Sequence, residues 1–275
     1  MNEQTFAAPR RVLSALRAVI TVCLALAVFV AAGAVAKSAI SRMEAVAYHA
    51  KASGGASPPA PMPVEPDWRQ VGTSVQGRPI LAASFGRGER RVLVVGGIHG
   101  SEFGSDAAQA FAAWLRANPT AVPPGTQVDV VACANPDGRA AGVKGNADAV
   151  NLNGNFPTHN WKRQQYLTTT AGPRPGSEPE TQAIIRLLET GYVRVVSLHS
   201  KGGFVDYDGP NGRALADRVA SASGLPVKKL GPTALYAGSL GTYVPERFGI
   251  PVLTFELSSR AITPAVLTGL LASVR

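Results

Sequence analysis

Apolar residues in this chain fall into short runs separated by helical patterns. The β-branched runs at 79–85, 91–97, 128–133, 193–198 and 251–257 read as strands, most of them buried on both faces. Between and after them, apolar residues at helical spacing over 106–117, 178–189, 213–223 and 264–274 predict four helices. Ser177 and Glu180 stand in capping-box spacing at the start of the second helix, and Asn211 and Gly224 bracket the third. Strands alternating with helices predict an α/β fold, a mixed and largely parallel twisted sheet with helices on both faces. In such sheets chemistry gathers at the carboxyl ends of the strands.

One apolar run is of a different kind. Residues 18–36 (AVITVCLALAVFVAAGAVA) carry no charge and follow Arg10, Arg11 and Arg17, and roughly 20 apolar residues are what a helix needs to cross a bilayer. The arginines place residues 1–17 in the cytoplasm and send the C-terminal part across the membrane. Ala34-Val35-Ala36 also suits a signal peptidase, so an uncleaved single-pass anchor and a cleaved signal both fit. Residues 37–66 read as a stalk and a linker rich in Pro, Gly and Ser, and 67–275 as one folded domain.

Composition narrows the classes. Of 275 residues, 45% are hydrophobic and 16% charged, which excludes a wholly disordered chain. Only Cys133 of the two cysteines lies outside the apolar segment, so no disulfide scaffold is available. The net charge is +9, of which +3 belongs to residues 1–65. The remaining +6 shows no basic run with interleaved aromatics, which argues against a nucleic-acid partner. Nothing in the sequence bears on oligomeric state.

The unusual polar residues follow the predicted strands. His99 and Glu102 are three apart at a strand-to-helix turn, a spacing that lets both face one metal ion. His199 closes the strand at 193–198, and Glu256 stands inside the apolar run 251–257, where a carboxylate is costly without a partner. A lone strand-end histidine is commonly a hydrogen-bonded core residue. Here two of four histidines fall at strand ends, which favours a metal. Three N/O ligands with a fourth position left to water describe a catalytic zinc site, and a separate carboxylate can take that water's proton. The glycines at 96, 97 and 100 form neither a dinucleotide fingerprint nor a P-loop, and no Gly-x-Ser-x-Gly elbow is present.

The segments GGIHGSE, NPDGRAAGVKGNADAVNLNGNFPTHNW, PGSEPETQA, VVSLHS and TFEL occur in the order seen in zinc carboxypeptidases of the carboxypeptidase A type. The chain from about residue 70 onward resembles that family, within it the branch of murein peptide amidases that cut the γ-D-glutamyl to meso-diaminopimelate bond. The resemblance implies one zinc ion per domain held by His99, Glu102 and His199, with Glu256 as general base and acid. It implies that Asn153 helps hold the substrate's terminal carboxylate, and that Lys144 stands where relatives carry the arginine that stabilises the oxyanion.

Two departures accompany these matches. The family's Asp-Leu-Asn-Arg-Asn-Phe reads Asn151-Leu152-Asn153-Gly154-Asn155-Phe156, so Gly154 replaces an arginine that pairs with the substrate carboxylate, and a bidentate charged contact is lost. Lys201, Arg163 or Arg260 would have to supply it, or the substrate presents no free carboxylate there. Both Tyr236 and Tyr243 lie in the segment of the family's catalytic-loop tyrosine; Tyr243 is taken here as the substrate-binding one. The expected protein is an exported or membrane-anchored zinc amidase acting on cell-wall peptides, with an N-acyl amino acid hydrolase and a wall-binding module that has lost activity as rivals.

Overall fold

The computed structural model describes residues 65–231 and 236–275. The predicted anchor at 18–36 and nearly all of the stalk lie outside them. Among the described residues, no helix is long and apolar enough to cross a membrane.

Seven strands of the described residues form one sheet: β1 (Arg69–Thr73), β2 (Pro79–Gly86), β3 (Arg90–Gly96), β4 (Thr126–Val131), β5 (Arg194–Ser200), β6 (Phe204–Asp208) and β7 (Val252–Leu257). Their order is β1-β2-β4-β3-β5-β7-β6. The central four, β4-β3-β5-β7, are parallel, while β1, β2 and β6 add antiparallel edges. Among the described residues, six helices accompany them: α1 (Gly104–Ala117), α2 (Pro136–Ala141), α3 (Pro179–Leu188), α4 (Gly212–Ser223), α5 (Leu240–Phe248) and α6 (Pro264–Val274). The mixed, largely parallel sheet with helices on both faces matches the expectation.

Alternation along the central strands divides the core in two. Val92, Val94, Val196, Leu198, Leu253 and Phe255 point to one face and pack under α1, α4 and α6, with Phe111 and Leu270 among the buried partners. Leu93, Val95, Val195 and Val252 point to the other, where Ile184 and Leu188 of α3 and Leu240 and Val244 of α5 cover them. His199 and Glu256 share the parity of Val195 and Val252, so they lie on the α3/α5 face, beyond the apolar cover.

Four elements escape the sequence pattern. β1 is a short polar edge strand and β6 carries Asp206 and Asp208 on one face, so neither shows an apolar run. The six-residue α2 is too short for periodicity, and α5 hides behind Gly241 and Pro245. The expected capping box at Ser177 also fails. The helix begins at Pro179 with Glu178 as N-cap and no side-chain cap bond. Glu180 turns away instead, its Oε1 accepting from Val75 N at 3.1 Å and its Oε2 from Asn146 Nδ2 at 3.1 Å.

Candidate metal centre and cleft

His99 and Glu102 sit in the turn between β3 and α1, and two glycines allow that turn. Gly97 adopts φ 67°, which favours glycine. A Cβ at Gly100 would lie 2.1 Å from the Gly138 carbonyl carbon, so the chain passes α2 only without a side chain. This is why glycines stand on either side of the histidine. His199 comes from the end of β5, where it pairs in register with Glu256 of β7.

Three donors converge at this point. His99 Nδ1 lies 2.8 Å from Glu102 Oε1, and His199 Nδ1 lies 3.2 Å from both His99 Nδ1 and Glu102 Oε2. A tetrahedral zinc with bonds of about 2.0–2.1 Å sets its N and O donors roughly 3.3 Å apart, so the three fit as ligands of one ion. Two facing imidazole nitrogens beside a carboxylate are otherwise an unfavourable crowd of lone pairs.

Neighbouring groups prepare the set. Asn151 Oδ1 accepts from Asn153 N at 3.1 Å, which identifies it as the oxygen, and it lies 3.0 Å from His99 Nε2. That nitrogen must therefore carry the proton, leaving Nδ1 as a lone pair aimed at the metal position. Burial lowers the His99 pKa, and the adjacent His199 adds to this. Burial pushes Glu102 upward, but the adjacent His199 and His99 imidazoles outweigh it and hold the carboxyl well below the usual range. Its Oε2 also accepts from Ser200 N at 3.0 Å.

The triad opens on a cavity of about 380 Å³. Glu256 lines it, and burial raises its pKa, with the negative Glu102 and Asp206 contributing and His199 opposing. Lys144 lines both this cavity and an adjoining one that contains Tyr166 and Tyr236. Asn153 lines it too. Its Oδ1 accepts from Leu240 N at 2.9 Å, which leaves the amide nitrogen to donate elsewhere.

Other expected site residues are placed differently. Tyr243 is 5% exposed, stacked on Phe156 with ring centroids 5.5 Å apart, and belongs to the core under α5. Tyr236, 37% exposed, is the tyrosine that reaches the cleft. Gly154 is buried, and a Cβ there would meet Tyr166 Oη at 3.0 Å, so Tyr166 occupies the space an arginine side chain would enter. Lys201 is exposed and does not line the cavity. Arg260 is bound to Asp106 at 2.7 Å, and Arg163 lines a separate cavity. Asp206, Asp208, Lys229 and Thr254 do line the cleft and were not legible beforehand. The one available signal was the i, i+2 spacing of the two aspartates.

Comparison with known proteins agrees with this geometry. Residues 67–214 match the Peptidase M14 zinc carboxypeptidase family. Murein peptide amidase A of Escherichia coli K12 is 33% identical over 180 residues, which cover 59% of this chain and 70% of that protein. Its counterpart from Vibrio campbellii is 32% identical over 200 residues, 68% of this chain and 77% of that one. The crystal structure of murein-tripeptide amidase from E. coli O157 superposes with a TM-score of 0.59 at 26% identity, covering 79% of this chain and 94% of that one. Carboxypeptidase A from Helicoverpa armigera shares the fold at 16% identity, with a TM-score of 0.61 over 75% of this chain and 64% of that one. The chain belongs to the zinc carboxypeptidase family, whose members are hydrolases acting on peptides.

Proposed function

We propose that this protein hydrolyses an amide bond in a murein peptide, using one zinc ion held by His99, Glu102 and His199. The observation that carries the reading is the register pair His199 and Glu256, which sets a carboxylate beside the three converging donors. The names of the relatives support the substrate class. When bound, zinc would polarise the scissile carbonyl and lower the pKa of a coordinated water to about 7.

The chain's own groups supply the rest. Glu256, its carboxyl raised by burial, takes a proton from the attacking water and returns it to the leaving nitrogen. Lys144 brings a positive charge to the cleft, where negative charge develops on the carbonyl oxygen. Asn153 donates its amide N–H to a substrate oxygen. Neither Gly154 nor Lys201 anchors the substrate carboxylate; Asn153 and Tyr236, which both line the cleft, take that contact.

Residues 18–36 act in this proposal as an anchor or a cleaved signal, and 37–66 as the tether that lets the domain reach the cell wall. The domain works on the outer side of the cytoplasmic membrane, in the periplasm if released. Cell fractionation with N-terminal sequencing of the mature protein tests this, and a soluble cytoplasmic chain overturns it.

Incubating the zinc-loaded chain with murein tripeptides and tetrapeptides tests the activity. Mass spectrometry should show a single amide bond cut, a chelator should stop the reaction, and added zinc should restore it. Intact peptides after prolonged incubation overturn the reading.

A further inference from the structure

The metal centre stands where β3 and β5 finish, and a group of arginines stands where the same strands begin. Arg90 and Arg194 open β3 and β5. Val92 pairs with Arg194 in register, which sets both arginines on the sheet face covered by α1, α4 and α6. Burial pushes the Arg194 guanidinium down to about 10, and the positive Arg90 and Arg218 of α4 beside it add to this. Arg87 follows the end of β2, and Arg116 lies in the last turn of α1, which crosses back toward the start of β4. Arg69 opens β1 at the same end.

None of these six arginines forms an ion pair with a carboxylate among the described residues. Arg194 Nη1 donates to the Ser273 carbonyl at 2.9 Å, which fixes its stem and leaves its charge uncompensated. The nearby carboxylates outside ion pairs are Glu89, in the turn before β3, Glu65 and Asp67, which lead into β1, and Glu189, which Arg186 offsets at the end of α3. Six positive charges against Glu65, Asp67 and Glu89 leave +3. A planar guanidinium fork fits two oxygens of one phosphate, as a lysine ammonium does not.

The path of the chain says what lies opposite this end. β1 is antiparallel to β2, which is antiparallel to β4, so β1 runs in the direction of the central strands. Residues ahead of Arg69 therefore arrive at the arginine end. The metal ligand His199 is five residues further along β5 than Arg194, about 16 Å away and facing the other direction. A chain of the length and Pro/Gly/Ser-rich composition of 37–66 spans roughly 30 Å on average, which keeps the arginine end within reach of a bilayer holding residues 18–36.

We propose that the arginine end docks on anionic phospholipid head groups of the membrane that anchors the chain, and so turns the metal cleft away from the bilayer toward the cell wall. The inference rests on residues 18–36 being a membrane segment, as proposed above. An anionic wall polymer is the other polyanion that such a surface fits, but the end at which the anchored chain enters is the one that faces lipid.

Arginine modification reads the docking directly. The full chain is mixed with phosphatidylcholine vesicles or with vesicles that also contain phosphatidylglycerol, treated with phenylglyoxal, and the modified positions are read by mass spectrometry. Anionic vesicles should slow modification of Arg87, Arg90, Arg116 and Arg218 severalfold. Arg163 and Arg174, exposed in the loop before α3, should react alike with both lipids, and high salt should remove the protection. Arg90→Gln with Arg218→Gln should weaken docking about tenfold or more, seen as lost protection at Arg87 and Arg116. Equal modification with both lipids overturns the proposal, as does protection of Arg163 and Arg174 to the same degree. Protection by purified sacculi and not by anionic vesicles overturns it in favour of the wall polymer. A chain that fails to sediment with phosphatidylcholine vesicles sinks the anchor reading, and lipid-dependent protection of the same arginines then still upholds the docking surface.

Discussion

His99 Nε2 and Asn151 Oδ1 lie 3.0 Å apart, and that contact decides which imidazole nitrogen faces Glu102 and His199 in the candidate metal site. Because the same oxygen accepts from Asn153 N, the proton belongs to His99 Nε2. Asn151→Leu removes the acceptor and frees the tautomer. Zinc affinity should fall about 10–100-fold, read by competition with a chelator. Asn151→Asp should keep wild-type affinity or exceed it, since a carboxylate makes the imidazole a stronger ligand.

Glu256 lines the cleft beside His199 but is not one of the converging donors. Glu256→Gln should therefore retain one zinc per chain by elemental analysis while kcat falls by about 10²–10⁴. Loss of zinc together with activity would reassign Glu256 to the ligand set.

Restoring the family's arginine at Gly154 should harm the fold. The new Cβ would stand 3.0 Å from Tyr166 Oη, tighter than ordinary packing. Gly154→Arg should cost about 1–3 kcal/mol in urea unfolding, as overpacking does. Adding Tyr166→Ala should recover much of the loss. Full stability of the single variant would show that Tyr166 does not fill that space.

Asp137 links α2 to the loop before β2. Burial pushes its carboxyl upward, but the Gln76 N–H at 2.9 Å, the Arg78 guanidinium at 2.6 Å and the Ser74 hydroxyl at 2.8 Å hold it below the usual range. A depressed folded pKa stabilises the protein above the unfolded value, about 3.9, and that stability is lost as pH falls through the folded value. Asp137→Asn should lower stability at neutral pH by about 1–3 kcal/mol and flatten the decline below pH ~4. Denaturant midpoints measured from neutral to acid pH read both effects.

Much of this protein was determined by its sequence alone. The long β-branched runs specify the central strands, since such residues at that length pack only in a sheet covered on both sides. His99, Glu102, His199 and Glu256 were legible because each is polar at the margin of an apolar run, where a buried charge requires a reason. Tertiary structure decided the rest. Tyr243 and Tyr236 lie in one segment, and only the packing of α5 shows that the first fills the core while the second reaches the cleft. Local pattern is equally silent on Tyr166 occupying the space beside Gly154, or on Lys229 meeting Asp206 and Asp208 from 21 to 23 residues away. Strand register and loop closure set these contacts, and they join positions whose separation along the chain carries no periodic signal.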